Sequence, residues 1–248
     1  MNALIFAAGL GTRLRPLTDT MPKAMVPIGG KPLVQWLIEK LKCSGVTSVV
    51  INVHHFAQQI VDFIAENQAF GLDIRFSDET DLLLETGGGL KKAAKLFPNE
   101  QPILVHNVDI LSDMDLGAFY RSVLQTEGQP TTLLVSQRQT QRYLLADGQG
   151  RLVGWTNIAT GQVKSPYPDL DVSVCQKVAF SGIQVFNQQL LPLMDAWEGK
   201  FSIIDFYLSV CDKVDIRLQQ QPDLHLLDVG KLDSIEKAEA FIDLTIDN

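Results

Sequence analysis

Three stretches of this chain are apolar at consecutive or nearly consecutive positions: Leu4-Ile5-Phe6-Ala7-Ala8, Ser48-Val49-Val50-Ile51-Asn52-Val53 and Ile103-Leu104-Val105. A strand with one face in water alternates polar and apolar residues, so a continuous run belongs to a strand covered on both faces. The intervening segments supply the covering helices. Leu33, Trp36, Leu37 and Leu41 recur at helical spacing between Pro32 and Cys43, with Gly45 placed as a stop, and Ile60, Val61 and Ile64 form a second apolar stripe before a short strand at Asp73–Phe76. The alternation predicts an α/β fold: a Rossmann-like, doubly wound, mixed and mostly parallel sheet with helices on both faces. With 248 residues and 46% apolar composition, a single domain spanning residues 1–248 is expected.

Further along, helices are expected after the glycine cluster Gly87-Gly88-Gly89 and from Leu116 to Leu124, and a strand at Thr131–Ser136. Asp147-Gly148-Gln149-Gly150 reads as the turn of a hairpin joining Tyr143–Leu145 to Leu152–Trp155. Residues 156–177 are polar and aperiodic and read as an excursion over the active-site face. A strand at Val178–Phe186 is interrupted by Ser181-Gly182, where the missing side chain suggests close approach of a ligand or backbone. Ser202 caps a helix reaching Cys211, with Asp205 at the capping-box position, and strands at Val214–Leu218 and His225–Gly230 precede a terminal helix through Ile235, Ala238 and Ile242. No hexapeptide repeat follows, so a C-terminal β-helix is not expected.

Ligands of open α/β sheets bind beyond the carboxyl ends of the strands. There the first strand runs into Ala8-Gly9-Leu10-Gly11-Thr12-Arg13, whose glycines and exposed N–H groups suit a phosphate-cradling loop. The spacing fits neither a P-loop nor a dinucleotide fingerprint. The formal charge of −8 argues against nucleic-acid or anionic-membrane surfaces, yet residues 1–31 set Arg13, Arg15, Lys23 and Lys31 against Asp19 alone. Glycines at a helix start are costly, so Glu85-Thr86-Gly87-Gly88-Gly89 reads as a place where a flat ligand or phosphate comes close. Asn107 and Asp109 end one apolar strand, and Asp228 ends another. Either aspartate alone also fits a turn or capping role, but two carboxylates at one sheet edge suit Mg²⁺. Cys43, Cys175 and Cys211 form neither a disulfide framework nor a zinc pattern, and Met1 leads directly into a strand. A reduced, cytoplasmic protein without signal peptide or membrane span is expected.

Ala7 to Pro27 resembles the opening signature of the sugar-1-phosphate nucleotidylyltransferases, L-A-A-G-x-G-T-R-x-x-P-L-T followed by P-K-x-x-x-P, with Phe6 where the family often has Leu. The resemblance runs from residue 2 to about 244, with further anchors at Glu85–Gly89, Asp109, Phe180-Ser181-Gly182-Ile183 and Asp228-Val229-Gly230. Val108 replaces the family's usual Gly, and Trp155-Thr156-Asn157-Ile158 stands where members often carry Glu-Lys-Pro with a sugar-phosphate lysine. Lys164 is one candidate substitute. The T-G-G-G loop and the S-G-I strand are similar to the N-acetylmuramate-1-phosphate uridylyltransferase branch.

The resemblance implies attack of a sugar-1-phosphate on the α-phosphorus of a nucleoside triphosphate, with release of pyrophosphate. It places Asp109 and Asp228 on Mg²⁺, Arg13 at the departing pyrophosphate and Lys23 at the α-phosphate. Ala8, Gly9, Gly11, Thr12 and Asn107 would hold the nucleotide, Gly87 and Gly88 the base, and Ser181, Gly182 and Asn157 the sugar. A UDP-sugar is the expected product, UDP-N-acetylmuramic acid being one, and UTP the expected triphosphate. A guanylyltransferase making GDP-sugars and a silent relative that binds nucleotide sugars to regulate a partner are the alternatives.

Overall fold

The computed structural model describes residues 1–246. The chain opens with β1 (Asn2–Phe6) and a loop of short 3-10 turns, then a small hairpin of β2 (Pro27–Ile28) and β3 (Lys31–Pro32). There follow α1 (Leu33–Cys43), β4 (Ser48–Val53), α2 (Ala57–Glu66), β5 (Asp73–Asp78), α3 (Glu85–Ala94), β6 (Ile103–Asn107), β7 (Ile110–Ser112) and α4 (Leu116–Gln125). The second half contains β8 (Thr131–Ser136), β9 (Arg142–Ala146), β10 (Leu152–Asn157), β11 (Gln162–Lys164), β12 (Gln176–Phe186), α5 (Ile203–Val210), β13 (Ile216–Gln220), β14 (Leu226–Asp228) and α6 (Ile235–Ile246).

One mixed sheet carries the architecture, in the order β11-β10-β9-β12-β6-β1-β4-β5, with β8 alongside β12 and β13 alongside β8. Strands β6, β1, β4 and β5 are mutually parallel, the apolar β6, β1 and β4 lying inside and the alternating β5 at the edge, and β12 enters antiparallel to β6. Successive residues of β1 go to opposite faces. Ala3 and Ile5 join a core with residues of α1, α2, α4 and α6, while Leu4 joins Leu90 of α3 and Phe206 of α5 on the other side. The register sets Phe6 level with Asn52 of β4 and Asn107 of β6, so three strands bring these residues to one line near the carboxyl edge.

Several expectations change in detail. Residues 156–177 are partly ordered as the β10–β11 hairpin, with Trp155 opposite Lys164 and Asn157 opposite Gln162. Ser202 does cap α5, its hydroxyl accepting from the Ile204 N–H at 3.2 Å, but Asp205 forms no capping box and pairs with Lys164 at 2.7 Å. The glycine cluster lies inside α3. A Cβ at Gly87 would fall 2.3 Å from the Phe201 ring and one at Gly88 2.3 Å from the Gly199 carbonyl oxygen, so these glycines let the helix touch the segment before α5.

Candidate active site

Beyond the carboxyl ends of β1, β4 and β6 lies a cleft of about 590 Å³, lined by the loop Ala7–Arg13 together with Lys23, Asn52, Glu79, Leu83, Glu85, Thr86, Asn107, Asp109, Ser202 and Gly230. The loop turns at Gly11, where φ is +63° and a Cβ would press on Thr18 at 2.8 Å. Thr18 locks the turn by donating its hydroxyl to the Gly11 carbonyl at 2.8 Å. From there the backbone passes a 3-10 turn that carries Arg13, and the next such turn but one carries Lys23.

The loop is fastened from beneath by two residues that pattern reading passed over. Asn52 accepts the Ala7 and Ala8 N–H groups on one side-chain oxygen, at 2.6 and 3.1 Å, and donates to Glu79 Oε1 at 2.8 Å. The other Glu79 oxygen accepts from the Leu84 N–H at 2.9 Å, just before α3. Both side chains are buried. They tie the phosphate-type loop to the opposite wall of the cleft; Asn52 is signalled by a polar residue inside the apolar β4, whereas Glu79, among the polar residues that follow β5, carries no such signal. Ala8 lines the cleft, but its N–H is committed to Asn52, so the N–H groups the loop can offer begin at Gly9.

Gly87 and Gly88 do not line the cleft; their place is taken by Glu85 and Thr86. The Gly87 N–H is bound to the Phe201 carbonyl at 2.8 Å, and Thr86 Oγ1 accepts from the Ile203 N–H at 3.0 Å. Glu85 holds a φ of +58°, a conformation that costs a non-glycine residue and that tends to be kept at functional positions. Ser181 is also corrected. It is buried in a bulge of β12, and its hydroxyl is spent on the Leu134 carbonyl at 2.7 Å. Gly182, at φ +80°, lies beneath Asn107, where a Cβ would meet the amide nitrogen at 2.8 Å; it shapes the seat of a lining residue and does not itself line the cleft. Asn157 lines a second cleft that adjoins the first at Glu85 and Ser202.

The two aspartates predicted from distant parts of the chain do converge. β14 pairs antiparallel with β7, Asp228 lying opposite Ile110, and the Val229 N–H donates to the Asp109 carbonyl at 2.8 Å. Asp109 forms an ion pair with the nearly enclosed Lys23. Asp228 Oδ1 is buried without a hydrogen-bond partner, an expensive condition for a carboxylate unless a cation completes it. Arg13 stands on the other side of Gly230: a Cβ there would lie 2.6 Å from Asp228 Oδ1 and 2.8 Å from an Arg13 guanidinium nitrogen, so the position has room for glycine alone. Among the described residues no group of three or more His, Cys, Asp or Glu surrounds a common metal position. Two hard carboxylates and an orphaned buried oxygen fit Mg²⁺, which completes its shell with water and phosphate. Below them His106 is fully buried, and burial pushes its imidazole down to about 4.

The model of the nucleotidyl transferase family matches residues 2–244. An N-acetylmuramate alpha-1-phosphate uridylyltransferase of Neisseria meningitidis is 43% identical over 122 residues, 49% of this chain and 52% of that protein. A mannose-1-phosphate guanyltransferase of Gibberella zeae is 38% identical over 142 residues, 55% of this chain and 38% of that one. The matched segments thus span about half, or less, of these relatives' length. Among solved structures, a UDP-glucose pyrophosphorylase complexed with UDP-glucose superposes with a TM-score of 0.77 over 98% of this chain and 99% of that chain, at 16% identity, which speaks for the fold alone. Among the described residues no helix is long and apolar enough to cross a membrane.

Proposed function

Because the chain belongs to the nucleotidyl transferase family, we propose that it joins a nucleoside triphosphate to a sugar-1-phosphate with release of pyrophosphate, UTP being the favoured triphosphate. The observation that carries this reading is that Arg13, Lys23 and Asp109 line one end of the cleft, with Asp228 held just behind its lining residue Gly230, the four drawn from three distant parts of the chain. A module that only bound nucleotide sugars would not require two carboxylates beside two cations at that point.

The sugar phosphate is already an anion at neutral pH, so the reaction needs no general base, and catalysis reduces to alignment and charge neutralisation. Asp109 and Asp228 would hold Mg²⁺, whose chemistry when bound is neutralisation of phosphate charge. The N–H groups from Gly9 to Thr12 hold the triphosphate. Lys23, fixed by Asp109, meets the α-phosphate, and Arg13, given room by Gly230, meets the departing pyrophosphate. The base would lie between the loop and the wall of Leu83, Glu85 and Thr86.

A pyrophosphate-release screen of the purified protein across UTP, GTP and dTTP with several sugar-1-phosphates tests the reading. Release with UTP above the others supports it; a GTP preference moves the protein to the guanylyl alternative, and no release with any pair overturns the activity. Asp228→Asn should cost roughly 3 kcal/mol of transition-state stabilisation, on the order of a hundredfold in turnover, without loss of thermal stability, since it removes an unpartnered buried charge. Near-normal turnover of that variant would refute the metal-site assignment.

A further inference from the structure

The Lys23 ammonium donates to Asp109 Oδ2, and the pair is nearly enclosed, with 10% and 19% of the two side chains exposed. Just behind the cleft wall, Asp228 Oδ1 is buried with no partner. The charges of Arg13, Lys23, Asp109 and Asp228 therefore cancel within this group. The base of Lys23 is firmly held. Its backbone sits in a 3-10 turn closed by the Val26 N–H to the Lys23 carbonyl at 3.1 Å, and a Cβ on Gly11 would meet the Lys23 Cβ at 3.1 Å. The tip is held by less. Among the described residues the ammonium has Asp109 as its one partner, at the end of a flexible four-carbon stem.

We propose that Lys23 competes with a divalent cation for Asp109 and yields the carboxylate when a phosphate draws the ammonium away, so that metal and phosphate each strengthen the binding of the other. The inference rests on the nucleotidyl-transfer reading above. An ammonium bonded to one oxygen of a carboxylate repels a dication approaching the other, and inside an enclosed pair that repulsion is little screened by salt or water. A divalent cation by itself would also leave a group whose charges now cancel with two positive charges in excess. A phosphate offsets that excess and gives Lys23 a second anion to hold. The loop from Gly9 to Thr12 lines the same cleft, and the Lys23 stem rests against its turn at Gly11, so an anion held by that loop is within the ammonium's reach. By linkage, whatever factor the phosphate adds to metal affinity the metal adds to phosphate affinity.

The test titrates Mn²⁺ into the full chain and reads the free ion by electron paramagnetic resonance. Neither nucleotide nor sugar is present, so the outcome is independent of whether the proposed reaction occurs. Lys23→Gln removes the competing charge and is expected to bind Mn²⁺ roughly tenfold or more tighter than wild type. Lys23→Arg keeps a cation beside Asp109 and is expected to bind no tighter than wild type. Adding Asp109→Asn to Lys23→Gln should abolish the gain. A second measurement needs no variant, and so holds even if Lys23→Gln does not fold. Sulfate carries a phosphate-like charge and chelates Mn²⁺ weakly. Against chloride at equal ionic strength, it should tighten Mn²⁺ binding to wild type by roughly fivefold or more. Equal or weaker Mn²⁺ binding by Lys23→Gln would overturn the competition, and so would an equal gain in Lys23→Arg. A wild-type affinity indifferent to sulfate would overturn the release of Asp109 by an anion.

Discussion

Replacing Asn52 by Leu should loosen the phosphate-type loop while leaving the sheet standing. The side chain keeps the same branched shape, somewhat enlarged, but three buried groups lose their partner: the Ala7 and Ala8 N–H groups and Glu79 Oε1. A buried donor or acceptor left alone costs about 1–3 kcal/mol. Asn52 and Glu79 border the cleft, so water can reach part of the vacated space. The total is therefore about 2–4 kcal/mol, below the roughly 5–15 kcal/mol that a domain of this kind has in hand. At about 2–4 °C per kcal/mol for a chain of this length, the melting temperature should fall by about 4–16 °C.

The functional readout is separate. The same Asn52 oxygen sets the path of Ala7-Ala8 into Gly9, and through Glu79 it anchors the Leu84 N–H on the far wall. The KM for the triphosphate should accordingly rise by roughly tenfold or more, a misplacement cost. Glu79→Gln is the companion. It keeps an acceptor for Asn52 but turns an amide N–H₂ toward the Leu84 N–H, so it should lose less stability and still raise that KM. If Asn52→Leu melted within about 1 °C of wild type and bound triphosphate as well, the inference that these two side chains hold the loop would be wrong.

Gly88→Ala should destabilise the fold by about 1–3 kcal/mol from overpacking against the Gly199 carbonyl, less up to about 1 kcal/mol gained in helix preference, and the melting temperature measures it. Intact stability with weakened triphosphate binding would instead mark that glycine as a ligand contact. His106 should shape acid stability: burial lowers its pKa from 6.5 to about 4, so the folded chain binds fewer protons than the unfolded one between those values. Its stabilisation is complete above pH 6.5 and lost as pH falls toward 4, by roughly 3 kcal/mol, and His106→Gln should flatten that part of the stability profile. A profile unchanged by the substitution would refute this.

What could be read from the chain before its structure was what a single segment decides about itself. The unbroken run of β4 announces burial on both faces, and Asn107 and Asp109 announce a strand end because apolar character stops there. Asp109 and Asp228 were predicted to meet because both close apolar strands, and β14 pairing with β7 brings them together. The Gly87 and Gly88 reading failed for the opposite reason. A glycine records only that something lies close, and the thing close by is Phe201 and Gly199, remote in sequence, where a ligand was expected. Ser181 failed in the same way, its hydroxyl being taken by Leu134 across the sheet.

The second cleft shows where such reading stops. Its walls come from β9, β10, β11 and the cap of α5, and its charge balance depends on which lysine answers which acid. Asp205 looked like a capping residue from its place in the helix, and Lys164 like a stand-in for a missing sugar-phosphate lysine. The two pair with each other at 2.7 Å, so Asp205 closes no capping box, while Lys164 lines the second cleft together with Asn157. The lining of the first cleft is thus encoded largely in contiguous motifs, and that of the second in pairings among side chains that the fold alone brings within reach.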